Sequence, residues 1–121
     1  MRWKANVTVA AVIEKDGRFL MIEEESNGVI VINQPAGHLE KDETIIEAVI
    51  REVQEETAWA FEPTNIVGVY LYPSSNNDIT YLRICFSGRC ISHDAKQQLD
   101  DGIVQALWMT PQELETKKNE L

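Results

Sequence analysis

Arg51-Glu52-Val53-Gln54-Glu55-Glu56 is the segment whose residue types and spacing could carry chemistry. On a helix, Glu55 and Glu56 stand three and four residues beyond Glu52, so three carboxylates share one face. Each like-charged pair costs such a helix about 0.2–0.5 kcal/mol. The glutamates also fall in the last turns, where the helix dipole disfavours negative charge by roughly 0.3–1 kcal/mol each. Lysines would suit helix stability better there. Hard divalent cations fit the missing positive charge, because Mg²⁺ and Mn²⁺ take carboxylate, water and phosphate oxygens. Ions held this way can clamp a phosphoanhydride and lower the pKa of a bound water. An acidic, solvated helix face is the plain alternative for three glutamates taken alone.

The surrounding sequence must supply that helix and bring a loop to it. From about Glu43 to Thr57 the apolar period is helical: Ile46, Val49, Ile50 and Val53 predict one apolar face, with Asp42 as the cap. Ala48 lies one turn before the glutamates and is expected to leave them approachable. Pro63 bars the helix from running far beyond Thr57. Ahead of it, Asn33-Gln34-Pro35-Ala36-Gly37-His38 reads as a loop. Val7 to Ile13, Arg18 to Glu23 and Val29 to Ile32 read as strands, the last of them buried. Asp16-Gly17 and Asn27-Gly28 mark the turns between them. Strands are expected again at Ile66 to Tyr72 and Thr80 to Ser87, with an exposed loop at Pro73 to Asp78. Ile103 to Trp108 returns to the core, and Thr110-Pro111-Gln112-Glu113 carries a capping box for a last helix. The order predicts an α/β fold, a mixed β-sheet sandwiched between helices (α/β/α).

One domain accounts for all 121 residues, and 44% apolar content is enough for a core without disulfides. Cys85 and Cys90, five apart, would face opposite sides of a strand and stay unpaired, as suits a reducing cytoplasm. No apolar run is long enough to span a bilayer, and the first six residues lack a signal-peptide pattern, so a soluble protein is expected. The net charge of −9 argues against nucleic acid as a partner. It suits an anionic small-molecule ligand only if cations stand between protein and phosphate.

Gly37, then Glu43 six positions on, then Arg51, Glu52, Glu55 and Glu56 together resemble the signature of the Nudix hydrolases, G-x5-E-x7-R-E-U-x-E-E-x-G-U, over residues 37–59. Ala58 stands where the signature has its last glycine, and Trp59 where it has a bulky aliphatic residue. The resemblance implies a Nudix fold, with Glu52, Glu55, Glu56 and the Gly37 carbonyl as metal ligands. It also implies an Arg51–Glu43 ion pair that orients the helix. The general base varies within that family. Glu55 or Glu52 is favoured, with Asp100 and Asp101 as outside candidates whose simpler role is a polar turn before Gly102. The stretch Asn33 to Glu40, the start Val7-Thr8-Val9-Ala10 and Tyr81-Leu82-Arg83 look like bacterial phosphatases of the NudJ group. That likeness implies a nucleoside di- or triphosphate, or a thiamine-precursor diphosphate, as substrate, and relatives that extend past Leu121.

Gln34, His38, Tyr72 and Arg83 are the candidate substrate contacts. Each has a plainer role: loop bonding for Gln34 and His38, packing for Tyr72, a surface charge for Arg83. A pyrophosphate-releasing house-cleaning triphosphatase and a non-catalytic nucleotide-binding module are the alternatives to phosphate release. The protein could be a monomer or a homodimer.

Overall fold

The computed structural model describes residues 2–120, with side chains for 2–117. The strands are β1 Asn6–Val12, β2 Glu14–Lys15, β3 Arg18–Ser26, β4 Val29–Asn33 and β5 Ala36–His38. After helix α1, Ile45–Thr57, come β6 Trp59–Pro73, β7 Thr80–His93 and β8 Ile103–Met109, and helix α2, Pro111–Glu120, follows. The β-structure is mixed and divides into two four-stranded sheets, with the helices packed around them. One sheet runs β5-β1-β7-β6, with β1 parallel to β7 and its other pairs antiparallel. In the other, β3 pairs with β2 and β4 along one edge and with β8 along the other.

Both early hairpins turn on residues that tolerate positive φ. Asp16 and Gly17 lie at φ 53° and 79°, and Asn27 and Gly28 repeat those values, the geometry of a type I′ turn. The capping box at Thr110 and Glu113 forms as its sequence implies. Leu114 of α2 then faces a shallow pocket lined by Val12, Ile13, Phe19 and Met21.

The helix α1 departs from its sequence reading in two ways. Thr44, not Asp42, is the cap: Thr44 and Glu47 form a reciprocal capping box, and Asp42 sits in a left-handed turn at φ 68°. Glu47 is thereby committed to the cap. The buried stripe is Ala48, Val49 and Val53, continuing through Glu56 and Thr57, while Ile46 and Ile50 are 51% and 37% exposed. Hydropathy named the wrong pair of isoleucines because packing partners, not side-chain size, decide which stripe faces the sheet. Val9 and Ala11 of β1, Leu20 of β3 and Phe61, Ile84 and Phe86 complete the core around that stripe. Ala48 is therefore a core residue, small enough to let the helix approach the sheet closely.

Two further expectations change. Val29 to Ile32 is not a buried strand: β4 pairs only with β3, and Val29 and Ile30 are exposed. The loop at Asn33 to His38 contains β5, which pairs Thr8 with His38 and Ala10 with Ala36 and so fixes the loop rigidly against β1. Cys85 and Cys90 both lie on β7 and are free thiols.

Candidate active site

The helix α1 ends where Ala58 turns left-handed (φ 64°, ψ 13°) and donates its N–H to Gln54 O at 3.0 Å. Alanine is strained there by about 1 kcal/mol relative to glycine. Its methyl is buried, which offsets most of that at about 0.8 kcal/mol per buried carbon. Trp59 begins β6 at once and packs edge-on against Trp108, with 5.9 Å between ring centres. This exit keeps the last helical turn, and its three glutamates, fixed against the sheet.

Arg51 is the hub of the site. Its Nε and Nη2 each donate to a different oxygen of Glu43 at 2.9 Å, a two-bond fork, and Nη2 also donates to the His38 carbonyl at 3.0 Å. Nη1 donates to Glu52 at 2.8 Å and to Glu55 at 3.4 Å, and lies 3.5 Å from Glu40. One guanidinium thus ties the loop, the residue before the helix and the acidic face together. The Arg51 hydrogen bonds, with a backbone N–H from Glu40, hold the Glu43 carboxyl down near 2.

The three helix glutamates shift the opposite way. Glu56 is 8% exposed and accepts from the Ala36 N–H at 2.8 Å. Burial pushes it up to about 8, reinforced by the charges of Glu52, Glu24 and Asp100 and only partly relieved by that N–H. Burial also raises Glu52, against the pull of Arg51. Glu55 is raised by burial and then by Asp100 beside it. Gly37 lies so close to Glu52 that a Cβ on it would fall on the Glu52 carboxyl group. Glycine is required here for close approach, not for an unusual φ.

Asp100 reaches the site through two contacts far apart in sequence. Gln54 and Gln97 exchange hydrogen bonds of 2.6 Å, and the Asp100 N–H donates to the Glu55 carbonyl at 3.1 Å. Those bonds pin the loop before β8 onto the end of α1. Asp101 is exposed, and among the described residues the side chain that faces Glu55 is that of Asp100. Sequence reasoning missed Glu24 and Gln97. Glu24 was hidden in the run Glu23-Glu24-Glu25, where only the strand's alternation and its bulge decide which acid turns inward.

A pocket of about 430 Å³ opens beside Ala36, lined by Met21, Ile22, Glu24, Ile32, Asn33, Gln34 and Arg83. Arg83 donates to Gln34 Oε1 at 2.9 Å, and Asn33 donates to Glu24 at 2.6 Å. Gln34 and Arg83 are therefore brought together as candidate substrate contacts. His38 and Tyr72 do not line this pocket. Their rings flank Tyr81, with centre separations of 6.2 Å for His38 and 5.5 Å for Tyr72.

Four carboxylates, those of Glu40, Glu43, Glu52 and Glu55, meet one guanidinium, and they leave a strong excess of negative charge with only oxygen donors, a set suited to hard divalent ions. Among the described residues, no three acidic, histidine or cysteine side chains already form a ready-made ion cage. The reason is local: Arg51 engages Glu52 and Glu55, and Ala36 engages Glu56.

A helix ending in this acidic face is set against a glycine loop on a mixed sheet. The chain belongs to the Nudix family, whose NUDIX domain model matches residues 3–121. It is a Nudix-type hydrolase. It is 36% identical over 112 residues to phosphatase NudJ of Escherichia coli (strain K12), covering 93% of this chain and 72% of that protein. A Nudix hydrolase from Nitrosomonas europaea superposes with a TM-score of 0.92 at 49% identity, over 96% of this chain and 79% of that one. The Nudix domain of Shewanella oneidensis NrtR, solved with ADP-ribose, shares the fold at a TM-score of 0.77 and 16% identity, over 96% of this chain and 79% of that one. Nudix hydrolases generally use divalent metal ions, and among the described residues no helix is long and apolar enough to cross a membrane.

Proposed function

We propose that this chain is a Mg²⁺-dependent phosphatase of the NudJ type, acting in the cytoplasm on a small nucleoside di- or triphosphate or a thiamine-precursor diphosphate and releasing inorganic phosphate. Mn²⁺ is an alternative ion. Glu52, Glu55 and Glu56, with the Gly37 carbonyl, would hold the ions, which supply Lewis acidity and a more acidic bound water. The burial of the Glu56 carboxyl, bonded by the Ala36 N–H and set among other acids, is the observation that carries this reading. A cation there would compensate the carboxylate.

Arg51 and Glu43 position the ligands: their fork and the Arg51 bond to the His38 carbonyl tie α1 to the loop that carries Gly37. Of the two candidate bases, the Glu55 side chain is 38% exposed against 12% for Glu52, so Glu55 is the one an attacking water can reach. Water attacks the terminal phosphorus, its proton passes to a Glu55 carboxylate oxygen, and the bridging P–O bond breaks to release phosphate. Gln34 and Arg83 face the pocket that would take the organic part of the substrate, with Met21 and Ile32 as its apolar walls. His38 and Tyr72 would serve at its rim.

The test is phosphate release, by a colorimetric assay with Mg²⁺, across nucleoside di- and triphosphates, thiamine pyrophosphate and its pyrimidine diphosphate precursor. Phosphate from a diphosphate supports the proposal. Pyrophosphate as the product would make the protein a triphosphate pyrophosphohydrolase, and no product from any compound, with the protein folded, defeats it.

A further inference from the structure

At the tip of the β2–β3 hairpin a second pocket, of about 440 Å³, opens between Lys15, Asp16, Arg18, Trp108 and Thr110. None of the residues proposed above for ions or substrate lines it. Its volume matches the roughly 430 Å³ of the pocket beside Ala36 and suits a small organic ligand. Lys15 and Arg18 stand directly opposite each other in the β2–β3 pair. Leu20, two residues beyond Arg18, pairs with Trp108 on the other side of β3. Alternation therefore puts both cations and the indole on one face of the sheet. The Lys15 Nζ lies 5.9 Å from the centre of the Trp59 ring, which meets Trp108 edge-on.

The protein alone gains nothing from this placement. Like charges directly opposite across two strands repel, and both of these side chains are exposed. Among the described residues neither forms an ion pair, although the chain carries 20 acids against 11 bases. The acid whose charge meets that of Arg18 is Glu113, and it is occupied in capping α2, accepting from the Thr110 N–H at 3.1 Å. Asp16 sits in the turn itself.

Charge and shape together name the occupant. Two exposed cations beside these two acids leave too little net charge to hold a bare anion tightly in water. A phosphate that carries an aromatic ring makes a second contact. Its ring can lie on the half-buried Trp108 indole while its charge lies between Lys15 and Arg18. A nucleotide has both parts at a size the pocket admits.

We infer that this pocket is a second nucleotide site, separate from the proposed active site, with a phosphate between Lys15 and Arg18 and the base on Trp108. It adjoins Trp59, the first residue of β6, and so lies beside the exit that fixes α1.

AMP is the probe, because it has a base and a phosphate but no anhydride to hydrolyse. Titrated into the full chain in EDTA, it should quench indole fluorescence saturably with a Kd below about 1 mM. Inorganic phosphate alone and adenosine alone should each bind at least about 10-fold more weakly. The near-isosteric double variant Lys15→Gln/Arg18→Gln changes only exposed side chains and should stay folded, as its melting curve checks. It should weaken AMP at least about 10-fold. Arg83→Ala, in the pocket beside Ala36, should leave AMP binding unchanged. The readout needs neither metal nor turnover, so its failure is distinct from failure of the proposed hydrolysis. A midpoint above about 1 mM overturns the inference, as does phosphate or adenosine alone matching AMP. So does AMP binding that the double variant retains, or that Arg83→Ala abolishes.

Discussion

Gly37→Ala separates positioning from stability more cleanly than any change to a glutamate. The added Cβ would coincide with the Glu52 carboxyl, so one of the two must move. The backbone at Gly37 is held in β5 by pairing with Val9, whereas the carboxyl ends a flexible side chain. Glu52 is therefore the group that yields, and it loses its 2.8 Å bond to Arg51. That loss, softened because Glu52 also escapes an unfavourable burial, should cost about 1–2 kcal/mol of stability. At roughly 5 °C per kcal/mol for a chain this size, Tm falls by about 5–10 °C and the protein stays folded at 25 °C. Phosphate release should fall by at least about 100-fold, because a proposed ion ligand is displaced. Thermal unfolding followed by circular dichroism gives the first number, and the colorimetric phosphate assay gives the second. Activity within about threefold of wild type, a barrier change under about 1 kcal/mol, would show that the position of Glu52 is irrelevant to catalysis.

Other outcomes follow from the same contacts. Arg51→Lys keeps the charge but loses the fork on Glu43, and should cost about 1–3 kcal/mol with a larger fall in kcat than rise in KM, read by unfolding and steady-state kinetics. Glu56 has a folded pKa raised from 4.5 to about 8, so its contribution to stability is complete below pH 4.5 and lost as pH rises to 8. Metal-free protein should lose up to about 1.4 kcal/mol per pH unit within that window and level off above it, as denaturant melts at several pH values would show. The neutral, isosteric Glu56→Gln should flatten this dependence and abolish turnover; an unchanged slope would mean that Glu56 is not the titrating group. Glu43 behaves oppositely. Its contribution is present above pH 4.5 and lost as pH falls toward 2, and Glu43→Gln should remove that acid limb of the profile.

Much of this arrangement is legible in the sequence, for reasons that differ by element. Asp16-Gly17 and Asn27-Gly28 announce their turns because few other pairs accept two successive positive φ values. The acidic face is legible because helical spacing alone puts Glu52, Glu55 and Glu56 together. The buried stripe of α1 is not, since Ile46 and Ile50 satisfy the helical period as well as Ala48 does, and only the sheet's position chooses between them. Long-range partners are hidden altogether. Gln97 bonds Gln54 across 43 residues, and no local pattern foretells that this bond sets Asp100 beside Glu55. Arg83 and Gln34 could each be named as a candidate, yet their hydrogen bond depends on β1 lying between β5 and β7.

Titrating metal-stripped protein with Mg²⁺ by calorimetry, in two buffers of different ionisation enthalpy, addresses the acidic face most directly. We expect saturable binding with release of close to one proton at pH 7, because Glu56 must give up its proton to become a ligand, and less release at pH 9. Glu56→Gln should lose both the binding and the proton. A flat titration of the folded wild type, or binding that Glu56→Gln leaves intact, would contradict a divalent-ion role for these glutamates.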